Sequence, residues 1–104
     1  MTLHTVRIVR RGNVECTVVP AHQFLEVGDQ IEFKAPQTSA VVVLIPKNIF
    51  GQGSPQVIPV AAGQKSSACT IETGTALGVY PYAVYCEDHM DFGEGNSPPT
   101  MIVE

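Results

Sequence analysis

The residues of this chain whose types and spacing suggest chemistry lie close together near its C-terminal end. Cys86 and His89 are separated by two residues within the segment YCEDHMDFGEG. A cysteine thiolate is a soft metal ligand and an imidazole is a borderline one, a mixture that suits copper or zinc. The motif is short, so the alternative interpretation is an ordinary turn that contains a solvated histidine.

The same segment is rich in carboxylates: Glu87, Asp88, Asp91 and Glu94. These residues either form a solvated loop or form a rim that attracts a basic protein partner, because complementary charge raises association rates. Residues 66–104 contain six acidic residues and no Lys or Arg, whereas residues 1–65 carry six basic residues against four acidic ones. This distribution would not neutralise phosphates in number and does not favour nucleic acid as a partner.

An enzymatic role finds little support in the sequence. Cys86 and His89 could act as nucleophile and base, but no third residue in the pattern is placed to orient the imidazole. The glycine-containing segment at residues 51–55 lacks the lysine and the following helix of a phosphate-binding loop. We therefore expect that the protein is not an enzyme.

The loop must be held by β-strands. Side chains alternate along a strand, so Tyr80, Tyr82, Val84 and Cys86 share one face, and this face is predicted to point to the core. Cys86 then lies where the strand leaves the core, and it is expected to be the only thiol near the surface.

Similar patterns recur along the chain. Residues 30–34 alternate strictly, and residues 40–46, AVVVLIP, form the continuous apolar run of a strand suited to burial on both faces. Turn signals at intervals of about 8–12 residues separate these segments, which predicts an all-β, Greek-key β-sandwich of about seven to eight strands. We expect one domain over residues 1–104, with less than about one-tenth helix.

Composition and length are those of a soluble globular domain. The chain has 104 residues, 44% hydrophobic and 15% charged, with a net charge of −4. No apolar run approaches the roughly 20 residues needed to cross a bilayer, so no membrane association is expected. No signal peptide is visible, which predicts a cytoplasmic location, or a periplasmic or extracellular one if a leader was removed.

The remaining cysteines and histidines are expected to be structural or solvated. Cys16 and Cys69 lie in strand-like segments and are predicted to be small buried residues. A disulfide between them would require an oxidising compartment. His22 is predicted to be structural or solvated, and His4 to be exposed.

In the order of these segments the chain resembles the cupredoxins, the family of plastocyanin and other blue copper proteins. Residues 18–33, VVPAHQFLEVGDQIEF, resemble the early part of the family, in which a proline-containing strand leads through a Gly-Asp turn to an alternating strand. Residues 57–64, VIPVAAGQ, and 69–89, CTIETGTALGVYPYAVYCEDH, resemble the later half of the family, in which a strand ends in the ligand cysteine and the ligand loop. Residues 97–104 occupy the place of the last strand. The resemblance implies a cupredoxin-like sandwich that uses copper in electron transfer or copper handling.

The resemblance also implies a ligand set, but an incomplete one. Cys86 and His89 match the cysteine and histidine of the family's ligand loop, and Glu94 stands where the axial methionine would fall. The second histidine would precede the strand at residues 40–46, but residues 35–40, APQTSA, contain none. We therefore predict an atypical metal site of Cys86, His89 and Glu94. The alternative is a metal-free interaction module that keeps the cupredoxin fold and has lost the copper site.

Overall fold

In a computed structural model the chain folds into β-strands joined by turns. The structure describes residues 2–11, 15–50, 56–88, 90–93 and 98–104, without the side chains of residues 11, 15 and 91. These residues form eleven strands: β1 Leu3–Arg11, β2 Glu15–Val19, β3 His22–Leu25, β4 Gln30–Lys34, β5 Val41–Ile45, β6 Gln56–Val60, β7 Cys69–Thr70, β8 Gly78–Pro81, β9 Ala83–Cys86, β10 Asp91–Phe92 and β11 Thr100–Val103. None of the described residues is helical, so this part of the chain has no helix that could cross a membrane.

The strands form two layers. The first layer has the order β2-β1-β4-β7, with β1 and β4 parallel. The second consists of the sheets β10-β9-β5-β6 and β3-β11-β8. Only Tyr82 separates β8 from β9, and burial alternates through residues 79–86 without a change of phase. The two sheets of the second layer therefore continue into each other along this strand.

The core lies between the layers and is built from the inward side chains of both. From the first layer these include Val6, Ile31 and Phe33, and from the second Val43 and Val84, all without solvent exposure. Burying each of these side chains stabilises the fold by roughly 1.5–3 kcal/mol. The period-two pattern selects which residues face inward, so the predicted alternation leads directly to this core.

The prediction of an all-β sandwich is confirmed, although the described strands outnumber the predicted seven to eight. Two continuous segments are each divided into two strands. The first breaks at Pro20, which has no N–H to donate to a ladder. The second breaks at Tyr82, whose N–H donates to Pro99 O at 3.0 Å. The two-residue strands β7 and β10 account for the rest of the difference.

Candidate functional site

Cys86 ends β9 with its side chain inside the sandwich. It is 1% exposed, and its sulfur forms a disulfide with Cys16 of β2. The two Cα atoms are 6.6 Å apart, and the bond joins the layers across a sequence separation of 70 residues. This corrects the expectation that Cys86 is a thiol near the surface, because the face that carries Tyr82 and Val84 into the core carries Cys86 with it. Cys16 is buried, as predicted, but it is not a free cysteine.

The third cysteine, Cys69, is free. It lies on β7 opposite Ile31, partly buried, and packs against the core. Burial raises the pKa of the Cys69 thiol, since the thiolate is less well solvated there. The free thiol of the native protein is therefore at Cys69, where the raised pKa disfavours the nucleophilic thiolate form.

An ion pair joins the layers at the same end as the disulfide. Arg10 is paired with Cys16 in the ladder between β1 and β2, and Asp88 follows Cys86 by two residues. The Arg10 guanidinium donates through Nη1 to Asp88 Oδ2, and also to Thr38 Oγ1 at 3.3 Å. Both charged side chains are largely shielded from solvent, which makes the pair a second connection between the layers.

The loop that follows β9 rests on the segment before β5. Ser39 is buried, and its hydroxyl oxygen accepts the Asp88 N–H at 3.2 Å while donating to Ala40 O at 2.8 Å. Glu87 N–H donates to Ala40 O at 3.1 Å. Residues 35–40, where the cupredoxin resemblance required a second histidine, are thus used to hold the loop through short polar groups.

The predicted metal site is described in part. Cys86 is described, whereas His89 and Glu94 lie outside the described residues. The turn leads into Met90, which is exposed and adopts a left-handed φ of 53°, and β10 then pairs Asp91 with Cys86. A non-glycine residue with positive φ is uncommon and marks a tight turn.

The described side chains at this end of the sandwich do not fit a copper–thiolate site. A disulfide sulfur lacks the negative charge of a thiolate ligand, and a guanidinium, itself a cation, bridges Thr38 and Asp88. Residues 35–40 offer no imidazole. Within the described part of the chain, no group of three or more His, Cys, Asp and Glu side chains could hold a metal ion.

The other two histidines take part in hydrogen bonds away from this end. Asp29 is buried and accepts hydrogen bonds from the backbone N–H groups of Glu26 and Thr2, each at 3.0 Å. His4 Nε2 donates to the same carboxylate at 2.9 Å, so His4 is partly buried rather than exposed as predicted. These hydrogen bonds lower the pKa of Asp29, and the bond from the Glu26 N–H makes the largest contribution. His22 is exposed and shares a hydrogen bond with Thr100, in agreement with its predicted role.

Comparisons with known proteins connect this geometry to a fold. No family model and no curated protein matches the sequence. Solved structures of amicyanin do match, three of them over 98% of this chain and 82% of the other. A mutant in its reduced Cu(I) form superposes with a TM-score of 0.62 at 15% identity. A second Cu(I) mutant gives 0.61 at 16%, and another mutant in the reduced state gives 0.66 at 14%. The chain has the cupredoxin fold. The sequence resemblance is thereby confirmed for the fold, which is what identities of this size establish.

The side chains that close this end of the cupredoxin-like sandwich could not be identified from the sequence. Arg10, Thr38 and Ser39 are ordinary polar residues whose roles depend on the contact between layers. The two cysteines do show a pattern in the sequence. Each is the outermost inward-facing residue of its strand, Cys16 at the start of β2 and Cys86 at the end of β9. That pattern is specific only once the two strands are known to lie at the same end of the fold.

Proposed function

We propose that this protein is a cupredoxin-fold binding module in which a disulfide and an ion pair, rather than a metal ion, hold the loop after β9. The Cys16–Cys86 disulfide is the observation that carries the proposal. It consumes the thiol that a copper site of the cupredoxin type would need. The Arg10–Asp88 pair supports the same interpretation, because it places a cation where a metal site would need further ligands.

The disulfide supplies the mechanical connection that a bound metal would otherwise give. In the chain-entropy model, a cross-link between residues about 70 apart stabilises the folded state by roughly 4 kcal/mol. A bond of this kind persists in oxidising compartments and is reduced in the cytosol. The proposal therefore includes a working environment that is oxidising, such as the periplasm or the extracellular space.

Binding of another protein is the activity that remains, and the acidic loop is one surface for it. We propose a basic partner for the carboxylates of this loop: Glu87, Asp88, Asp91 and Glu94. Glu87 is exposed and supports this role. Asp88 is already paired with Arg10 and contributes less, because its charge is largely neutralised. Catalysis is not part of the proposal, since the Cys86 sulfur is not available as a nucleophile while the disulfide is intact.

Copper handling is the second candidate function. The amicyanin structures that share this fold include Cu(I) forms, and Cys86 precedes His89 by three residues. This function requires that a thiol reductant first convert the disulfide to two thiols, with the reductant oxidised to its own disulfide. Cys86 could then offer a thiolate to Cu(I), which prefers soft ligands.

A Cu(I) competition experiment separates the two candidates. The variant Cys16→Ser leaves Cys86 as a free thiol, and Cys86→Ser leaves Cys16 free, so the two differ only in which end of the disulfide survives. Each is titrated against a chromogenic Cu(I) chelator beside the oxidised wild type. The metal-free module predicts that the oxidised wild type does not compete and that the two variants compete equally poorly.

The opposite result would establish copper handling. In that case Cys16→Ser competes far better than Cys86→Ser, and adding His89→Ala to Cys16→Ser weakens its competition. The wild type would gain the same affinity on reduction. Cu(II) should bind less tightly than Cu(I), because residues 35–40 supply no second imidazole to complete a trigonal blue copper site.

A further inference from the structure

The outer side of the second layer is an uncovered apolar surface, which we call the apolar face. It consists of the outward side chains of β3, β5, β6, β8, β9, β10 and β11. Its most exposed members are Val57 (65%), Val79 (63%), Phe24 (55%) and Phe92 (47%). Large apolar side chains this exposed are ordinary when scattered, but a contiguous group marks an interaction site.

The strand register shows that these residues are contiguous at the end of the layer near the disulfide. Leu44 of β5 lies between Val57 of β6 and Ala83 of β9. In the next row, Tyr85 is paired with Val42 on one side and with Phe92 on the other, and the two rings pack edge to face with centroids 5.2 Å apart. Directly paired residues on one face of a sheet are in side-chain contact.

At the other end, Ile102 of β11 lies between Phe24 and Val79. Residues 79, 81, 83 and 85 all point outward because burial alternates without interruption along β8 and β9, and this joins the two ends. One polar row crosses the face, where His22 and Thr100 share a hydrogen bond of 2.7 Å. Within the strands of this layer, none of the described outward side chains is Asp, Glu, Lys or Arg, and the exposed Glu26, Glu87 and Glu104 lie just beyond the strand ends.

The central strand β5 is more apolar than its environment requires. The run AVVVLIP at residues 40–46 is typical of a strand covered on both faces. Val41, Val43 and Ile45 are buried in the core, but Val42 and Leu44 point outward and are only partly buried. Beside them a groove of about 440 Å³ is lined by Leu44, Val57, Pro81 and Ala83 among others. Half of the double-sided burial indicated by the sequence is therefore absent from the isolated chain.

The size of the apolar face suits an interface with a second copy. With a rise of about 3.3 Å per residue and a strand spacing of about 4.8 Å, it projects to on the order of 300–400 Å². The accessible area of side chains standing above the sheet exceeds this projection. A standard interface buries about 800 Å² per partner, and about two-thirds of a homodimer interface is apolar. The apolar face thus supplies most of the apolar centre of one such interface.

We propose that two copies of this chain pair through their apolar faces in a two-fold symmetric dimer. A surface without acidic or basic residues can meet itself without bringing like charges together, although each chain carries a net charge of −4. With the two-fold axis running across the strands, the Phe24 end of one copy faces the Phe92 end of the other. The acidic loops then lie at opposite ends of the dimer. This inference goes beyond the proposed function, because it concerns the apolar face and a second copy of the chain, not the acidic loop and its basic partner.

Sedimentation equilibrium of the oxidised protein, at concentrations from about 1 to 100 μM, tests the proposal. The wild type should form dimers. Val57→Glu and Val79→Glu should each raise the dimer Kd by at least about 100-fold, because each symmetric contact would bury two like charges. Leu3→Glu is the matched control, since Leu3 is 51% exposed on the outer side of the first layer. It should leave the Kd unchanged.

Three results would overturn the proposal: a wild type that stays monomeric at 100 μM, a dimer insensitive to both apolar-face variants, or a dimer that Leu3→Glu disrupts. A monomeric wild type that binds vesicles or another protein through Val57 would assign the face to that partner instead. If a glutamate variant fails to fold, the milder Val57→Thr with Val79→Thr serves in its place. Because this readout is mass and not metal affinity, its failure is distinct from that of the metal-free module.

Discussion

The outer sides of the two layers follow the same alternation but present opposite chemistry. On the first layer, the outward residues of β1 and β4 include Thr5, Arg7, Glu32 and Lys34. On the second layer, the corresponding positions of β5 and β9 are Val42, Leu44, Ala83 and Tyr85. Period two therefore determines which residues point away from the core, and the type of each residue determines whether that outer surface is polar or apolar.

Even a nearly buried charge on the outer side of the first layer has partners. Glu32 is almost buried, yet Thr5 Oγ1 donates to its carboxylate at 2.7 Å and Lys65 Nζ lies 3.4 Å away. The hydrogen bond from Thr5 makes the largest contribution to lowering the pKa of Glu32, and Lys65 lowers it further. The outward polar groups of the first layer are exposed to solvent or, like Glu32, hydrogen-bonded, so this layer needs no cover in the isolated chain. The second layer has an outward surface that gains free energy only when it is covered.

Breaking the disulfide should have the largest effect on stability, because it removes the covalent bond between the two layers. Reduction, or the double change Cys16→Ser with Cys86→Ser, should lower the free energy of unfolding by roughly 4 kcal/mol. Urea denaturation of oxidised and reduced protein measures this difference. The native oxidised protein should contain one reactive thiol, at Cys69. Because burial raises the pKa of that thiol, its reaction should require a higher pH than that of a solvated cysteine.

Cys69→Ser is the control for this first prediction. It should leave the difference between oxidised and reduced protein in place, since Cys69 takes no part in the disulfide. Equal urea midpoints for oxidised and reduced wild type would show that the layers do not depend on the cross-link.

The polar network at the start of the first layer should give the second largest effect. Asp29→Asn removes a carboxylate that accepts from Thr2, His4 and Glu26, and should cost about 2 kcal/mol. The folded state lowers the pKa of Asp29 below 3.8, so its stabilisation is present above that pH and is lost as pH falls through the folded-state pKa. Acid unfolding curves of wild type and Asp29→Asn should therefore converge at low pH.

The nearby exposed Glu26 gives a matched control for Asp29. Glu26→Gln keeps the backbone N–H that Asp29 accepts and should change stability by less than about 0.5 kcal/mol. Curves for Asp29→Asn that stay parallel to the wild type down to acid unfolding would contradict the assigned role of the carboxylate.

The contrast between layers also shows what the sequence could predict. Alternation is a local property, so residues 30–34 and 80–86 predicted the strands and the sandwich. The Cys16–Cys86 bond depends on how β1 aligns with β2 and on which strand of the other layer faces them, and neither is local. The alternation along β9 correctly predicted that Cys86 points inward. It could not predict whether the end of β9 is open to solvent or packs against β2.

The predicted site shows the same limit. Cys86, His89 and Glu94 are close in sequence, which favoured a metal site, but the partners of Cys86 and of the following Asp88 lie in other parts of the chain. Arg10 and Cys16 come from the first layer, and Ser39 comes from the crossing between layers. The apolar run at residues 40–46 was correctly assigned to a strand. The sequence showed that both faces of this strand are apolar. It did not show which outward side chains of other strands would lie beside it.

Removing one hydroxyl from the first layer should have a smaller effect on the free energy of unfolding. Thr5→Val preserves the shape of the side chain but deletes the donor to Glu32, and should cost about 1 kcal/mol near neutral pH. The pKa of Glu32 should rise, because its largest stabilising hydrogen bond is lost. Since that pKa lies below 4.5 in the folded wild type, the stabilisation is present above this value and is lost on acidification.

Thr5→Ser retains the hydroxyl and is the conservative control for this position. It should keep most of the stability and the acid sensitivity of the wild type. An NMR titration of Glu32 gives the direct test. A pKa of Glu32 that is identical in wild type, Thr5→Val and Thr5→Ser would rule out the hydrogen bond as its cause.

The smallest expected change in stability is at the apolar face. Its dependence on protein concentration tests whether a second copy covers that face. Val57 is 65% exposed, so Val57→Thr should change the stability of the dilute protein by less than about 0.5 kcal/mol. An effect on stability should appear at higher protein concentration. If two copies pair through this face, the wild type unfolds at higher urea as protein concentration rises, because association stabilises the folded state by mass action. Val57→Glu should remove that dependence, whereas Leu3→Glu on the first layer should keep it. The same urea midpoint for the wild type at 1 and 100 μM would mean that the apolar face does not pair with itself.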